Sequence, residues 1–396
     1  MEQVEMILSK TRGDRYIWLI VIFLTIISML VVYSSTASLA FKHSNGNTEF
    51  YLLKHFLMFG FGLVLMYLLH KINYKYYSRI SQVMIYISVP LLIYTLLFGQ
   101  SINDARRWIN IPVINMSFQT SDLAKLSLMM YMARVLSKKQ EVIRSFRQGF
   151  LPVVTPPLII CGLIAPSNLS TAAILFATCL LLMFIGRVNL KYIMAMLGCG
   201  LMLLALIVVV ALQTPFHARV LTWESRMESF FHKDQTHSKD EYQVQYSMIA
   251  IAEGGWIGQG PGSSGLKDSV PESFSDYIYI VINREYGFVG AVIVLLLYLF
   301  FLLRCIRIFL QSPNAFGAFL AVGLSFSITI QALINMGVVV HILPVTGVTL
   351  PLVSMGGTSI WFMSAAIGII LSVSKNVEQE SEGKQKQLNE EKSVTA

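Results

Sequence analysis

Asp276 stands where a polar stretch meets the apolar run Tyr277-Ile278-Tyr279-Ile280-Val281-Ile282. A carboxylate on such a boundary stays ionised in water yet can face a partly desolvated groove, which raises its pKa toward that of a general base. Asp is also a preferred helix N-cap, so this residue alone leaves both roles open. Arg284 and Glu285 fall about two turns further into the same run. Each ionisable group at such depth costs about 2.5–3.5 kcal/mol on insertion scales, so it should face a cavity or a partner. Asp122 and Lys125, in FQTSDLAKLS, pose the same problem. A Lys125–Asp122 or Lys125–Glu285 pair would answer it as well as a part in chemistry. Arg106 and Arg107 precede Trp108. Arginine suits bidentate contact with phosphate, while two cations beside an interfacial Trp also suit lipid headgroups. Gly254, Gly255, Gly258, Gly260, Gly262 and Gly265 form a spaced series, but with no preceding strand and no GK[ST] ending it is not a nucleotide loop. Its backbone either lets a diphosphate or sugar come close, with Lys267 as a point charge, or makes a re-entrant turn. Glu272, after Pro271, reads as a loop charge.

The elements that must position these residues are membrane helices. Hydrophobic residues make up 55% of the 396 positions and charged residues 13%, against about 25% charged in a soluble domain; mean hydropathy is +0.63. A helix needs about 20 apolar residues to cross the hydrocarbon core. The sequence predicts an all-α integral membrane protein with ten such segments, near 16–38, 50–70, 80–98, 118–137, 148–165, 168–187, 190–213, 277–303, 313–340 and 356–374. The first run is long enough to be a retained anchor and shows no cleavage site. Only Ala165-Pro166-Ser167-Asn168 separates the fifth segment from the sixth, but the basic residues support the break. Lys10, Arg12 and Arg15, then Lys71, Lys75 and Arg79, then Lys138, Lys139, Arg144 and Arg147 fall in alternate loops. Arg187 and Lys191, Arg304 and Arg307, and Lys375 continue the alternation, whereas the short loops between hold only Lys42 and the Arg106–Arg107 pair. By the positive-inside rule both termini are cytoplasmic, and a large loop of about 214–276, between helices seven and eight, is extracytoplasmic.

Residues 1–15 are then a cytoplasmic N-terminus, 16–374 a polytopic membrane domain, and 375–396 a polar cytoplasmic tail expected to be disordered. The net charge of +8 sits in short loops, so nucleic acid is not the expected partner. Cys161, Cys179, Cys199 and Cys305 lie in apolar runs without metal-ligand spacing and read as buried thiols. A long polar, glycine-rich loop in so apolar a chain points to the handling of a substrate.

Taken in order, ARRWI at 105–109, FQTSDLAK at 118–125, GGWIGQGPGSSGLK with PESFSDYIY, and NMG…LPVTGVTLPLVSMGGTS from 335 to 359 resemble the SEDS family (shape, elongation, division and sporulation). Its members are the FtsW/RodA/SpoVE polytopic glycosyltransferases, and the resemblance covers nearly the whole chain. It implies polymerisation of lipid II, the undecaprenyl-diphosphate-linked disaccharide pentapeptide, at the outer face of a bacterial cytoplasmic membrane. Asp276 matches the family's essential acidic position, and Glu285 the second carboxylate of its usual pair. Arg106, Arg107, Lys125, Lys267, Glu272, Ser354 and Glu285 itself match motif positions expected to bind substrate. The chain departs in three places. FQPSE reads Phe118-Gln119-Thr120-Ser121-Asp122; the PDLGT element reads Pro166-Ser167-Asn168-Leu169-Ser170-Thr171, without its aspartate; and Arg284 replaces the first Glu of the pair and is expected to contact Glu285. GDRYIW near the start, with Thr346 and Thr349, resembles the division branch more than the elongation branch. That branch implies work at the division septum beside a class B penicillin-binding transpeptidase.

The chemistry implied is general-base attack. Asp276 takes the proton of the acceptor sugar's 4-hydroxyl, and the oxygen displaces undecaprenyl diphosphate with inversion at the donor's anomeric carbon. Arg106, Arg107 and Lys267 stabilise the leaving diphosphate, with a divalent cation, Mg or Mn, as a further aid. The competing expectations are a flippase for lipid II or another polyprenyl lipid, with Lys125, Arg284 and Glu285 as its intramembrane charges, a RodA-type elongation polymerase, and a non-catalytic scaffold.

Overall fold

A chain this apolar must satisfy its own backbone in lipid, and helices do so within each segment. The computed structural model describes residues 13–36, 48–102, 105–111, 116–212, 226, 230, 239–263 and 274–394. Each of the ten apolar segments carries a helix. These are α1 (Arg15–Ser35), α2 (Thr48–Lys71), α3 (Tyr77–Phe98), α4 (Thr120–Lys138), α5 (Leu151–Ile164), α6 (Leu169–Ile185) and α7 (Leu190–Leu212), followed by α9 (Ile278–Gln311), α10 (Ala315–Val339) and α11 (Gly357–Val394). An additional helix, α8 (Lys239–Gly254), lies in the polar island and packs on α9. Among the described residues, eight helices are long and apolar enough to cross a membrane. The other two of the ten fall short for separate reasons. α4 carries Asp122, Lys125 and Arg134, and α6 has only 17 residues.

α10 and α11 are the innermost helices, with 72% and 78% of their most apolar windows buried, while α7 lies outermost. α2 and α11 approach closely because the contact is made by small residues. A Cβ on Gly62 would stand 2.7 Å from Ser364 Oγ, and one on Gly368 would stand 2.5 Å from the Met66 carbonyl. Outward faces carry Phe23, Leu30, Phe56, Phe184 and Leu206, all exposed, as a lipid-facing surface requires.

Two parts of the chain depart from the expectation of a purely helical body with a disordered tail. The short connection between α3 and α4 folds into a three-stranded antiparallel sheet, β1 (Gln100–Ile102), β2 (Ala105–Ile111) and β3 (Met116–Gln119), in the order β1-β2-β3. Its alternation is too short to stand out between two long apolar runs. The tail expected to be disordered continues α11 to Val394. Glu, Lys and Gln are strong helix formers, and a tail grown from a packed helix has no nucleation cost to meet. Its first turns are also tied down: Glu378 Oε2 accepts the Gly13 amide at 2.7 Å, and Ser374 Oγ accepts the Asp14 amide at 2.9 Å. Asp14 in turn caps α1 and takes the Nε of Arg304 at 2.9 Å.

The element that shapes the site is the irregular stretch 340–356 between α10 and α11. Non-helical backbone inside a membrane protein needs other donors for its carbonyls, and an unsatisfied one costs about 1–3 kcal/mol. Here helices supply them. Asn335 Nδ2 donates to Val348 O at 2.6 Å and Gln331 Nε2 to Thr349 O at 3.0 Å. Ser28 Oγ of α1 donates to Val353 O at 2.8 Å, and Tyr298 Oη of α9 donates to Pro351 O. Because Ser28 spends its one hydrogen on Val353, the 2.8 Å contact with His55 requires His55 Nε2 to be the donor.

Candidate functional site

Asp276 lies two residues before the first residue of α9, half-buried, but it does not cap it. Tyr277 occupies the cap position, and no side chain caps this terminus. The Asp276 carboxylate instead accepts from Ser275 Oγ at 3.0 Å. Burial pushes its pKa above the ordinary carboxylate range, while the Ser275 hydroxyl and the Arg107 and Arg226 charges pull it back down. Gly347 walls the carboxylate at φ 63, and a Cβ there would stand 3.3 Å from Asp276 Oδ2. The Asp276 carboxylate is therefore partly desolvated and within the fields of two cations, Arg107 and Arg226.

The backbone beneath it is held from two sides. Ser275 O accepts Ser354 Oγ at 2.6 Å, and Asp276 O accepts Asn335 Nδ2 at 2.7 Å. Ser354 Oγ also accepts the Leu350 amide at 2.8 Å. With its one hydrogen donated to Ser275, Ser354, a motif position, holds the loop to the Asp276 segment. Leu352, buried at φ 59 within the same turn, is a non-glycine residue in the left-handed region, a strained position beside the site.

The two adjacent arginines part company. They lie on strand β2, where successive side chains point to opposite faces. Exposed Arg106 reaches back to the Leu97 carbonyl at the end of α3, and half-buried Arg107 donates Nε to Ser167 O at 2.9 Å. Of these two, only Arg107 contributes to the field at Asp276. Asn168, where the motif's aspartate was missing, caps α6 by accepting the Thr171 amide at 3.1 Å.

Lys125 pairs with Asp122 at 2.7 Å and donates to Gln331 Oε1 at 3.3 Å, closing a chain through Gln331 to Thr349 in the loop beside Asp276. Lys125, Asp122 and Gln331 line a cavity of about 40 Å³ with Ser327 and Ser359. Glu285 belongs to another cluster. It is 1% exposed, and its Oε1 accepts Ser34 Oγ of α1 and the Gly262 amide, the latter at 3.1 Å. Arg284 does not contact Glu285 as an ion pair; it pairs with Glu253 of α8 at 2.9 Å. Adjacent residues on a helix point about 100° apart and do not face each other, and just beyond this pair α9 breaks at Gly287, whose φ 67 and ψ −167 are not helical.

The glycine series fills that break. The amides of Gln259 and Gly260 donate to the carbonyls of Arg284 and Glu285, each at 3.0 Å, and Phe288 donates to Gly255 O at 2.9 Å. Gly254, Gly255, Gly258 and Gly260 therefore complete a broken helix, the re-entrant turn of the two roles left open by their spacing, while Gly265 lies outside the described residues. Lys267 and Glu272 lie outside the described residues. Among the described residues no three His, Cys, Asp or Glu side chains come together as a metal centre.

Sequence reasoning missed Asn335, Gln331, Gly347 and Arg226. Gln331 and Asn335 left a signal: two amides four residues apart share one face of a helix otherwise rich in apolar residues, where each needs a partner. Gly347 and Arg226 left none, because only the folded loop brings them to Asp276.

The family model for FtsW/RodA/SpoVE cell cycle proteins matches residues 14–379. Stage V sporulation protein E of Bacillus subtilis is 32% identical over 378 residues, covering 93% of this chain and 98% of that protein. A probable peptidoglycan glycosyltransferase FtsW of Trichlorobacter lovleyi is 31% identical over 366 residues, covering 91% and 93%. Among solved structures, a chain from a peptidoglycan synthase complex that coordinates polymerization and crosslinking is similar at 25% identity and a TM-score of 0.69, over 93% of this chain and 99% of that one. The rod shape determining protein RodA of Thermus thermophilus shares the fold at 21% identity and a TM-score of 0.65, over 92% and 97%.

Proposed function

Because the chain belongs to the FtsW/RodA/SpoVE family of cell cycle proteins, we propose that it is a peptidoglycan glycosyltransferase that polymerises lipid II with Asp276 as general base. The observation that carries this reading is the state of Asp276. It is partly desolvated, takes no part in capping α9, and sits within the fields of Arg107 and Arg226. The acceptor 4-hydroxyl gives its proton to Asp276 as its oxygen bonds to the donor's anomeric carbon. The bond from that carbon to the diphosphate breaks with inversion, and undecaprenyl diphosphate leaves. Arg107 is the described cation best placed for the leaving group, with Lys267 from the loop. A divalent cation, Mg or Mn, would neutralise charge on the diphosphate, which would itself supply the oxygen ligands.

The protein is a multi-pass membrane protein. We place ten spans in it, both termini in the cytoplasm and the 214–276 loop outside, on the basic-residue bias of the short loops and the helix at each of the ten segments. Residues 1–15 and 375–396 then flank a membrane domain of residues 16–374. Its partner is a class B penicillin-binding transpeptidase at the division septum, consistent with similarity to a chain of a peptidoglycan synthase complex.

Purified protein with labelled lipid II, with and without that transpeptidase, tests the reading. Wild type forms glycan polymer and Asp276→Asn does not. Equal polymer from the variant would remove Asp276 as the base. Transbilayer movement of lipid II without polymer would favour a flippase, although the charges such a transporter would use, Arg284, Glu285 and Lys125, are engaged by Glu253, by Ser34 with Gly262, and by Asp122.

A further inference from the structure

Resting on Asp276 as the base, the geometry points to Asn335 as a positioning residue for that carboxylate. Asn335 lies on α10, 2% exposed, and its Nδ2 donates to two carbonyls, Asp276 O at 2.7 Å and Val348 O at 2.6 Å. One of these segments carries the carboxylate. The other carries Gly347, whose missing side chain leaves the space next to Asp276 Oδ2. A single NH₂ group with both hydrogens used therefore sets the separation between the base and its wall.

Nothing in α9 does this work. Its first turn bonds Ile280 N to Tyr277 O at 2.9 Å, which begins after the Asp276 carbonyl. Without Asn335 the Asp276–Tyr277 peptide is free to rotate about bonds that swing the carboxylate. Ser354 restrains only the preceding carbonyl, Ser275 O. Gln331, one turn earlier on α10, repeats the device at Thr349 O but bonds to Lys125 at its other end. Asn335 thus acts through Asp276, and Gln331 through Lys125.

The full-length protein, assayed with labelled lipid II in detergent, tests this. Asn335→Leu keeps the size of the side chain and removes the donor. A shift of about 1 Å at the base costs up to about 100-fold in rate, so kcat is expected to fall about 10- to 100-fold. The KM for lipid II should stay unchanged. Loosening the segment also admits water to Asp276, so its pKa falls toward the ordinary value and the acid limb of the kcat profile moves to lower pH, with Arg107 and Arg226, the charges that face it, still in place. Asn335→Gln retains an amide donor and should recover part of kcat. A wild-type kcat and acid limb in Asn335→Leu would overturn the proposal, as would a loss expressed wholly in KM. If Asn335→Leu does not fold, Asn335→Gln and Asn335→Ser decide by the same two readouts. Undiminished polymer from Asp276→Asn would instead sink the base assignment itself, whatever the Asn335 variants do.

Discussion

Gly258 and Gly287 meet backbone to backbone, both at positive φ (89 and 67), at the point where α9 breaks. A Cβ on Gly258 would stand 2.2 Å from Glu285 O, and one on Gly287 would stand 2.4 Å from Gly258 N. Before the break Glu285 faces Ser34 of α1 and Arg284 faces Glu253 of α8, and the glycine turn bonds the carbonyls of both residues. Neither residue tolerates a side chain. Gly258→Ala or Gly287→Ala should destabilise by at least about 1–3 kcal/mol from overpacking, with about 1–2 kcal/mol more from left-handed backbone. The melting temperature of the purified protein checks this. Gly60→Ala is the control, since a Cβ there meets nothing within 4 Å.

Asp276 sets a pH dependence whose sign can be worked out. Its folded pKa is raised by burial, so the ionised form needed in a base appears at higher pH than for an exposed aspartate. The acid limb of polymerisation should therefore lie above the ordinary carboxylate pKa of about 3.9. Arg107 lowers this pKa, so Arg107→Gln is expected to move the limb further up, in addition to slowing the reaction. A limb that stays in place would separate Arg107 from the base.

The same shift bears on stability. A group with a raised folded pKa contributes stability below its unfolded pKa and loses that contribution as pH rises through the folded value. Asp276→Asn, neutral at every pH, should thus melt no lower than wild type at neutral pH while making no polymer. A lower melting temperature for the variant would mean that the carboxylate is a structural element.

The helices were legible in the sequence because each repeats one signal over some twenty residues. Asp276 was legible as a place, an acid at the mouth of an apolar run, but its role was not. Capping and catalysis ask for the same residue type, and only Tyr277 at the cap position with no capping side chain separates them. The glycine series is ambiguous in sequence between a ligand cradle and a re-entrant turn because spacing reports freedom of φ and says nothing of what approaches. The partner proved to be the broken backbone of α9. The sheet that splits Arg106 from Arg107 was hidden by its length, and the Arg284–Glu253 pair by its separation along the chain.

A cation prediction follows from the donor set. Mg usually keeps several waters and is bound largely through substrate phosphates, and among the described residues no three His, Cys, Asp or Glu side chains come together as a metal centre. Mg or Mn should therefore leave the melting temperature of the lipid-free protein unchanged and raise it only with undecaprenyl diphosphate present. Chelation should slow polymerisation, with recovery on adding either ion back. Stabilisation of the lipid-free protein would reveal a site made by protein groups alone.

Lys125 poses the sharpest test of structure against function, because its pair with Asp122 satisfies both charges without any substrate. The side chains are 14% and 4% exposed and 2.7 Å apart. Lys125→Met alone strands a buried carboxylate, and breaking such a pair costs about 3–5 kcal/mol. Asp122→Asn with Lys125→Met removes both charges and should recover most of that loss, since apolar or neutral replacement of a whole buried pair is often nearly neutral. Polymerisation should not recover with it if Lys125 serves the lipid diphosphate, through the cavity it shares with Gln331 beneath the Thr349 loop. Melting curves and lipid II turnover on the single and double variants make the comparison. Recovery of both stability and polymer would reduce Lys125 to the counter-ion of Asp122.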